Sequence, residues 1–385
     1  MNELRTELHT MPSSDNDNST INFNSLFCEA DTLIPELPFA FKNDTTRCCK
    51  DVYNEGVLSC KHPYRDEYQD EGKGFKLGDK IIWGVSSALP IYIPIPTQDF
   101  KHKPLTLNSS YLGITLEDLY PRARHKIHGV WDYKSGTSPD VVFATSRVYG
   151  SSEKILFYSG PDLLIEGFNR DKYCSDTYNQ LKSAGINIST TPDFSVNPNS
   201  CSYGQVVNTN RTLAVGEEMS VRGIAVIPNV FATHPYLLDM WVVYLNSNRD
   251  QISFISINCQ RQRSRKDLQN LWWYIKELAT RTNVHIVLHG YNLSKLNLEA
   301  IKPVACQIHF ADTAPFCMAI RGRMYQTYDA TRHELVNERL VTNDVRMQAA
   351  MVQTSIQARE QYLRAEFYSH MSCNVNTFTN LSVPT

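Results

Sequence analysis

Two aspartates, Asp193 and Asp312, and one histidine, His289, each stand just beyond an apolar run, where a strand would end and a site could begin. A carboxylate buried at such a point can act as nucleophile or general base once its neighbours set its pKa. His289, between Val287-Leu288 and Gly290-Tyr291, offers a general acid or a phosphate contact. These three are the candidate catalytic residues. Asp162, Ser195, Asn229, Asn258, Gln260, Arg261, Tyr291 and Arg321 hold similar positions and are candidate substrate contacts. The bland alternative is that Asp and Asn follow strands as turn formers and helix caps. Successive polar exits make the group more suggestive than any member alone.

Other chemistry-bearing groups are weaker. Cys48, Cys49, Cys60 and His62 have a spacing that could hold zinc but lack paired C-x-x-C knuckles, so no cofactor is expected. Cys259 reads as a small apolar core residue. Arg261, Arg263, Arg265 and Lys266, then Arg321 with Arg323, then Arg122, Arg124, His125 and Lys126 among aromatics, suit phosphate contacts or are solvated loop ends.

Positioning such residues on one rim requires parallel strands, because active sites of parallel α/β proteins form at the carboxyl ends of the strands. Apolar runs recur about every thirty residues after residue 150, with helix-compatible stretches between them. The expected strands are Ile155–Tyr158, Ile186–Thr190, Ile224–Ile227, Ile252–Ile257, Val284–Leu288 and Cys306–Phe310, with Val141–Thr145 as one more. The expected helices are Tyr173–Ala184, Asn210–Arg222, His234–Asn246, Lys266–Thr282 and Lys295–Ile301, with Gly185, Gly223 and Asn283 as left-handed caps. The fold class is α/β: a (β/α) barrel-like parallel sheet, complete or irregular. Neither a Gly-x-Gly-x-x-Gly turn nor a Walker loop is present, which removes support for a dinucleotide-binding open sheet.

The rest of the chain divides around that unit. Residues 1–27 are polar and read as a disordered arm, and residues 28–150, broken by prolines, as an irregular layer of loops and short strands. The barrel-like domain is expected over 151–330. Residues 331–385 read as a helical extension and tail, with Leu335, Leu340, Val345, Met351, Val352, Ile356 and Leu363 along one side. A chain of 385 residues with 42% hydrophobic content can bury a large core, and a net charge of −2 gives no global field toward nucleic acid or anionic membrane. No signal segment or run of ~18 apolar residues is found, and ten cysteines are scattered through the chain, so the reading is a cytoplasmic protein with reduced thiols and no membrane partner.

Thr191-Pro192-Asp193-Phe194-Ser195, followed by Gly223-Ile224-Ala225-Val226-Ile227-Pro228-Asn229, resembles an uncharacterised family of bacterial, phage and plasmid proteins carrying PDFS and GIxVIPN strand motifs. The likeness spans about residues 153–310. The strand spacing is also similar to the barrel of tRNA-guanine transglycosylases and their DNA-modifying phage relatives. That resemblance implies base exchange at an N-glycosidic bond, with Asp193 and Asp312 as the attacking and assisting carboxylates. The chain lacks the zinc site that follows that family's barrel. Function is thus expected to be either an enzyme of the N-glycosidic bond, with a nucleic-acid or nucleotide substrate, or a non-catalytic binding barrel of a mobile element.

Overall fold

The computed structural model describes residues 82–369 except 87, 98–104, 120–123, 128–129, 134–147, 150–152, 161–163, 166–167, 170–176, 195–201, 233–234, 261–264, 341 and 343. Asp162, Ser195, Arg261, the Cys48, Cys49, Cys60, His62 set and the strand expected at Val141–Thr145 lie outside the described residues.

Eight parallel strands carry the fold: β1 (Tyr92–Pro94), β2 (Tyr111–Thr115), β3 (Glu153–Phe157), β4 (Ile186–Thr190), β5 (Ala225–Ile227), β6 (Phe254–Asn258), β7 (His285–His289) and β8 (Ile308–Asp312). They form two four-stranded sheets, in the orders β1-β8-β7-β6 and β2-β3-β4-β5. Every pairing within both sheets is parallel. Helices α1 (Thr177–Ser183), α2 (Ser202–Val221), α3 (Pro235–Ser247), α4 (Arg265–Arg281), α5 (Lys295–Ile301) and α6 (Ala314–Ile320) lie between or after strands. This is the expected parallel α/β rhythm, and the predicted helix Lys295–Ile301 and strand Ile186–Thr190 match to the residue.

The two sheets curl round a shared interior. One apolar cluster takes a residue from each strand: Ile93, Tyr111, Ile155, Ile188, Ile227, Phe254, Val287 and Ala311. Their neighbours Tyr92, Leu112, Leu156, Val226, Ile255, Leu288 and Phe310 belong to a second cluster, shared with the helices. Side chains alternate across a strand, so both faces are covered, and this is why the runs are continuously apolar. At one seam β5 and β6 join through Ser256, whose N–H donates to Pro228 O and whose carbonyl accepts from Val230 N, both at 2.8 Å. At the other seam Gly113 of β2 faces Ile95 and Phe157 so closely that a Cβ would lie 2.5 Å from Ile95 Cγ1. No ladder joins β1 to β2 among the described residues, so the barrel is irregular.

A wedge adds a second irregularity. At the amino ends of β5 and β6, Val226 N donates to Trp83 O at 2.8 Å and Gly84 N to Gln251 O at 3.1 Å, inserting residues 82–85 between the strands. A Cβ on Gly84 would sit 2.3 Å from Gln251 O, a backbone atom that cannot rotate away, so only glycine fits.

Three expectations need correction. Residues 28–150 were expected to lie over the barrel as a layer, yet they supply β1 and β2 to the sheets themselves. Their prolines do not prevent this, because among the described residues β1 pairs on one side only and Pro94 ends it. The helix expected from residue 330 is instead an antiparallel hairpin, β9 (Arg323–Asp329) and β10 (Glu334–Arg339), followed by helix α7 (Val345–Tyr362). The turn is set by Asp329, whose Oδ1 accepts from Thr331 N at 2.8 Å and Arg332 N at 3.2 Å, and by His333 at φ 55°. Gly185 and Gly223 adopt the left-handed cap at φ 78° and 73°, whereas Asn283 does not. Within α7, Met351, Val352 and Ile356 are buried as expected, with Leu363 just beyond. Among the described residues no helix is long and apolar enough to cross a membrane.

Candidate active site at the strand exits

Because the strands run the same way, their carboxyl ends share one rim, and polar side chains from four exits meet there. The β7 exit supplies His289, which is 2% exposed. Its Nδ1 lies 3.2 Å from Ser159 Oγ at the β3 exit, and its Nε2 lies 3.3 Å from Gln260 Nε2 beyond β6. Gln260 N donates to Asn258 Oδ1 at 3.1 Å, and Asn258 Nδ2 donates to Asp193 Oδ2 at 2.7 Å beyond β4. A continuous hydrogen-bonded chain thus runs Ser159, His289, Gln260, Asn258, Asp193. Ser159 is buried, Asp193 and Asn258 are half-buried, and Gln260 is exposed, so the chain leads from the interior to solvent.

Local sequence explains how each member is aimed. Val287 belongs to the interior cluster, so His289, two residues on, points the same way and rests on Phe157 with ring centroids 4.8 Å apart. Ser159 follows Phe157 by the same step. Gly290, at φ 72°, turns the chain away at once, and its missing Cβ leaves room for the Gln260 side chain, which would otherwise lie 2.5 Å away.

The electrostatics limit what this chain can do. Burial pushes the His289 imidazole down to about 4, against a smaller upward pull from Asp312. The ring is therefore neutral at neutral pH. With the Gln260 amide nitrogen as donor, Nε2 accepts and Nδ1–H donates to Ser159 Oγ. In that tautomer the imidazole gives Ser159 a hydrogen bond and does not take its proton, so Ser159 is not an activated nucleophile. Cys259 is buried, and burial followed by the nearby Asp193 charge pushes its thiol far up, which fits its reading as a core residue. Asp193 is the carboxylate of this hydrogen-bonded chain.

Asp312 is placed elsewhere. Ala311 faces the interior, so Asp312 faces the helix layer, as Phe310 does. Its Oδ1 accepts from Tyr92 Oη and Ala314 N, each at 2.8 Å, and its Oδ2 pairs with Arg359 of α7. Its polar capacity is filled by the fold. Asn229 is likewise internal: its backbone N donates to Thr191 Oγ1 at 2.7 Å and its Nδ2 to Thr191 O at 3.1 Å, tying β4 to β5. Tyr291 Oη donates to Asn297 O at 2.8 Å, bracing α5. Arg321 ends α6 and is exposed, outside the rim chain.

Sequence reading singled out Asp193, His289, Asn258 and Gln260 and missed Ser159, whose exit was represented by Asp162. It also missed Arg211, in mid-α2, whose guanidinium lies 3.9 Å over the Phe194 ring beside Asp193. Arg211 carries no local signal, because its placement depends on how α2 packs. Among the described residues no cluster of three or more His, Cys, Asp or Glu could hold a metal ion.

No protein-family model matches the chain, and no curated protein matches it. Among solved structures it is similar to the YdjI aldolase from Escherichia coli K12, at 12% identity over 59% of this chain and 72% of that one, with a TM-score of 0.31. It is also similar to the carboxyl transferase domain of Rhizobium etli pyruvate carboxylase with pyruvate and biocytin, at 14% identity over 59% of this chain and 37% of that one, with a TM-score of 0.29. A structure of that carboxylase crystallised without acetyl coenzyme-A gives 12% identity over 80% and 34%, with a TM-score of 0.34. The chain thus spans less than two thirds of the carboxylase chains it matches, from 34% to 59% of their length.

Proposed function

We propose that the chain is an enzyme of the N-glycosidic bond, acting on a nucleoside or a nucleic-acid base with Asp193 as its working carboxylate. The observation that carries this reading is the hydrogen-bonded chain across four strand exits, ending in a half-buried carboxylate held by Asn258. As a base leaves a sugar, positive charge builds on the sugar carbon, and a fixed carboxylate stabilises it. Water then adds to that carbon and gives a proton to Asp193, which returns it to solvent, while the released base takes one proton from solvent at its freed nitrogen, so that the water's OH ends on the sugar and its H on the base. The Asn258 and Gln260 amides each offer both a donor and an acceptor, which suits the edge of a base or the sugar hydroxyls. His289 is a positioning residue that holds Ser159 and Gln260 in place.

Compared with the two-carboxylate scheme, the proposal leaves Asp312 out, since Arg359 and Tyr92 engage it. The test is release of free base, measured by chromatography, from nucleosides, tRNA and single-stranded DNA. Base release by the native chain that is lost in Asp193→Asn and kept in Gln307→Ala, at the amino end of β8 where Gln307 Nε2 donates to Thr282 O and Val284 O, supports the reading. Absence of release or exchange with every substrate, together with loss of fold stability in Asp193→Ala, would establish the non-catalytic binding barrel instead.

A further inference from the structure

We propose a second ligand site, a phosphate-binding groove between α6 and the β9/β10 hairpin, in which Arg323 and Arg339 grip the phosphate of a mononucleotide-sized ligand. The two arginines stand directly opposite each other across the antiparallel pair. Like charges in that position destabilise a hairpin. Among the described residues no ion pair engages either guanidinium. Both are exposed, and both line one groove of about 360 Å³ with Met318, Tyr325, Asn337 and Glu338. Glu338 is the single carboxylate there, so the lining keeps a net positive charge.

The groove's shape and chemistry together select the ligand class. Its volume falls in the range that takes small molecules, about 300–1,000 Å³. Two guanidiniums facing across a gap match a phosphate, which accepts paired N–H bonds from such forks. Met318 and the half-buried Tyr325 ring give an apolar wall against which a base can lie, and the Asn337 amide can meet its edge. Behind Tyr325 the Arg359 guanidinium, 5.4 Å from the ring centroid and paired with Asp312, backs the ring and holds it in place. None of these residues takes part in the rim chain, so the site is independent of the proposed base chemistry.

The experiment is calorimetric titration of the full chain at low salt with adenosine 5′-monophosphate, inorganic phosphate and adenosine. The expected result is one-to-one binding of the monophosphate, weaker binding of phosphate and weakest binding of adenosine, with affinity falling as salt rises. Arg323→Ala and Arg339→Ala should each weaken the monophosphate tenfold or more. Glu338→Gln should strengthen it severalfold, and Asp193→Asn should leave it unchanged. Both arginines are exposed, so the circular dichroism of these variants should match that of the native chain. Lack of monophosphate binding up to millimolar concentration overturns the proposal, as does binding indifferent to both arginine substitutions. Tight, strongly salt-dependent binding of a single-stranded oligonucleotide without binding of the monophosphate would reassign the face to nucleic acid and overturn it too.

Discussion

Asn258 Nδ2 donates to Asp193 Oδ2 at 2.7 Å, joining the exits of β6 and β4 and fixing the carboxylate at which the rim's hydrogen-bonded chain ends. An amide in that place gives the Asp193 carboxylate a hydrogen-bond donor without a second negative charge. Asn258→Asp reverses the effect: two carboxylates at that distance cannot both ionise freely, so the pair retains a proton to higher pH. The expected outcome is a fall in base release at pH 7 of about tenfold or more, with the acidic limb of the pH–rate profile moved up by about one unit or more. A profile that keeps its shape and position in Asn258→Asp removes Asp193 from the chemistry.

Asp312 and Arg359 make the opposite use of a strand-end carboxylate. The pair is buried, with side-chain exposures of 9% and 6%, and it fastens α7 to the end of β8 while Tyr92 hydrogen-bonds the same aspartate. Removing one partner leaves an uncompensated buried charge, which costs on the order of 3–5 kcal/mol, whereas replacing both with apolar groups is often close to neutral. Arg359→Met alone should therefore lower the urea midpoint sharply, and Asp312→Leu combined with Arg359→Met should recover most of it. Base release should survive in the double variant. Recovered stability with lost release would return Asp312 to the site.

The legibility of this fold and site follows from what is local and what is not. The rhythm of apolar runs after residue 150 marked six strands, since runs such as Ile255 to Ile257 and Ile286 to Leu288 are covered on both faces and need no polar alternation. The Tyr92–Pro94 strand was hidden because prolines at 90, 94 and 96 signal loops, and its partner Ile308–Asp312 lies more than two hundred residues away. The hairpin was mistaken for helix because Leu335 and Leu340 also fit a helical stripe, and the Asp329 turn that decides the matter is a hydrogen-bonding detail. Asp193, Asn258, Gln260 and His289 could be found by position relative to their strands. The roles of Asp312 and Asn229 could not, since the same placement after a strand serves a buried ion pair or a backbone tie, and only the partners Arg359 and Thr191 tell them apart.

Two buried histidines set the acid response. Burial pushes His289 down to about 4 at the rim and His309 down to about 4 at the opposite end, where its Nδ1 lies 2.9 Å from Pro90 O and its Nε2 3.0 Å from His285 Nδ1. In the unfolded chain each imidazole takes a proton near 6.5. Above that pH both states are neutral and neither histidine contributes to the pH dependence. Between about 6.5 and 4 the unfolded state holds the extra proton, so stability falls as pH falls, by on the order of 3 kcal/mol for each group across the window. Urea denaturation at pH 7, 5.5 and 4.5 should show this decline. His309→Gln should flatten it, since a glutamine amide takes no proton and can still donate to Pro90 O. A decline of unchanged slope in both His309→Gln and His289→Gln would mean that carboxylates, not these imidazoles, govern the loss.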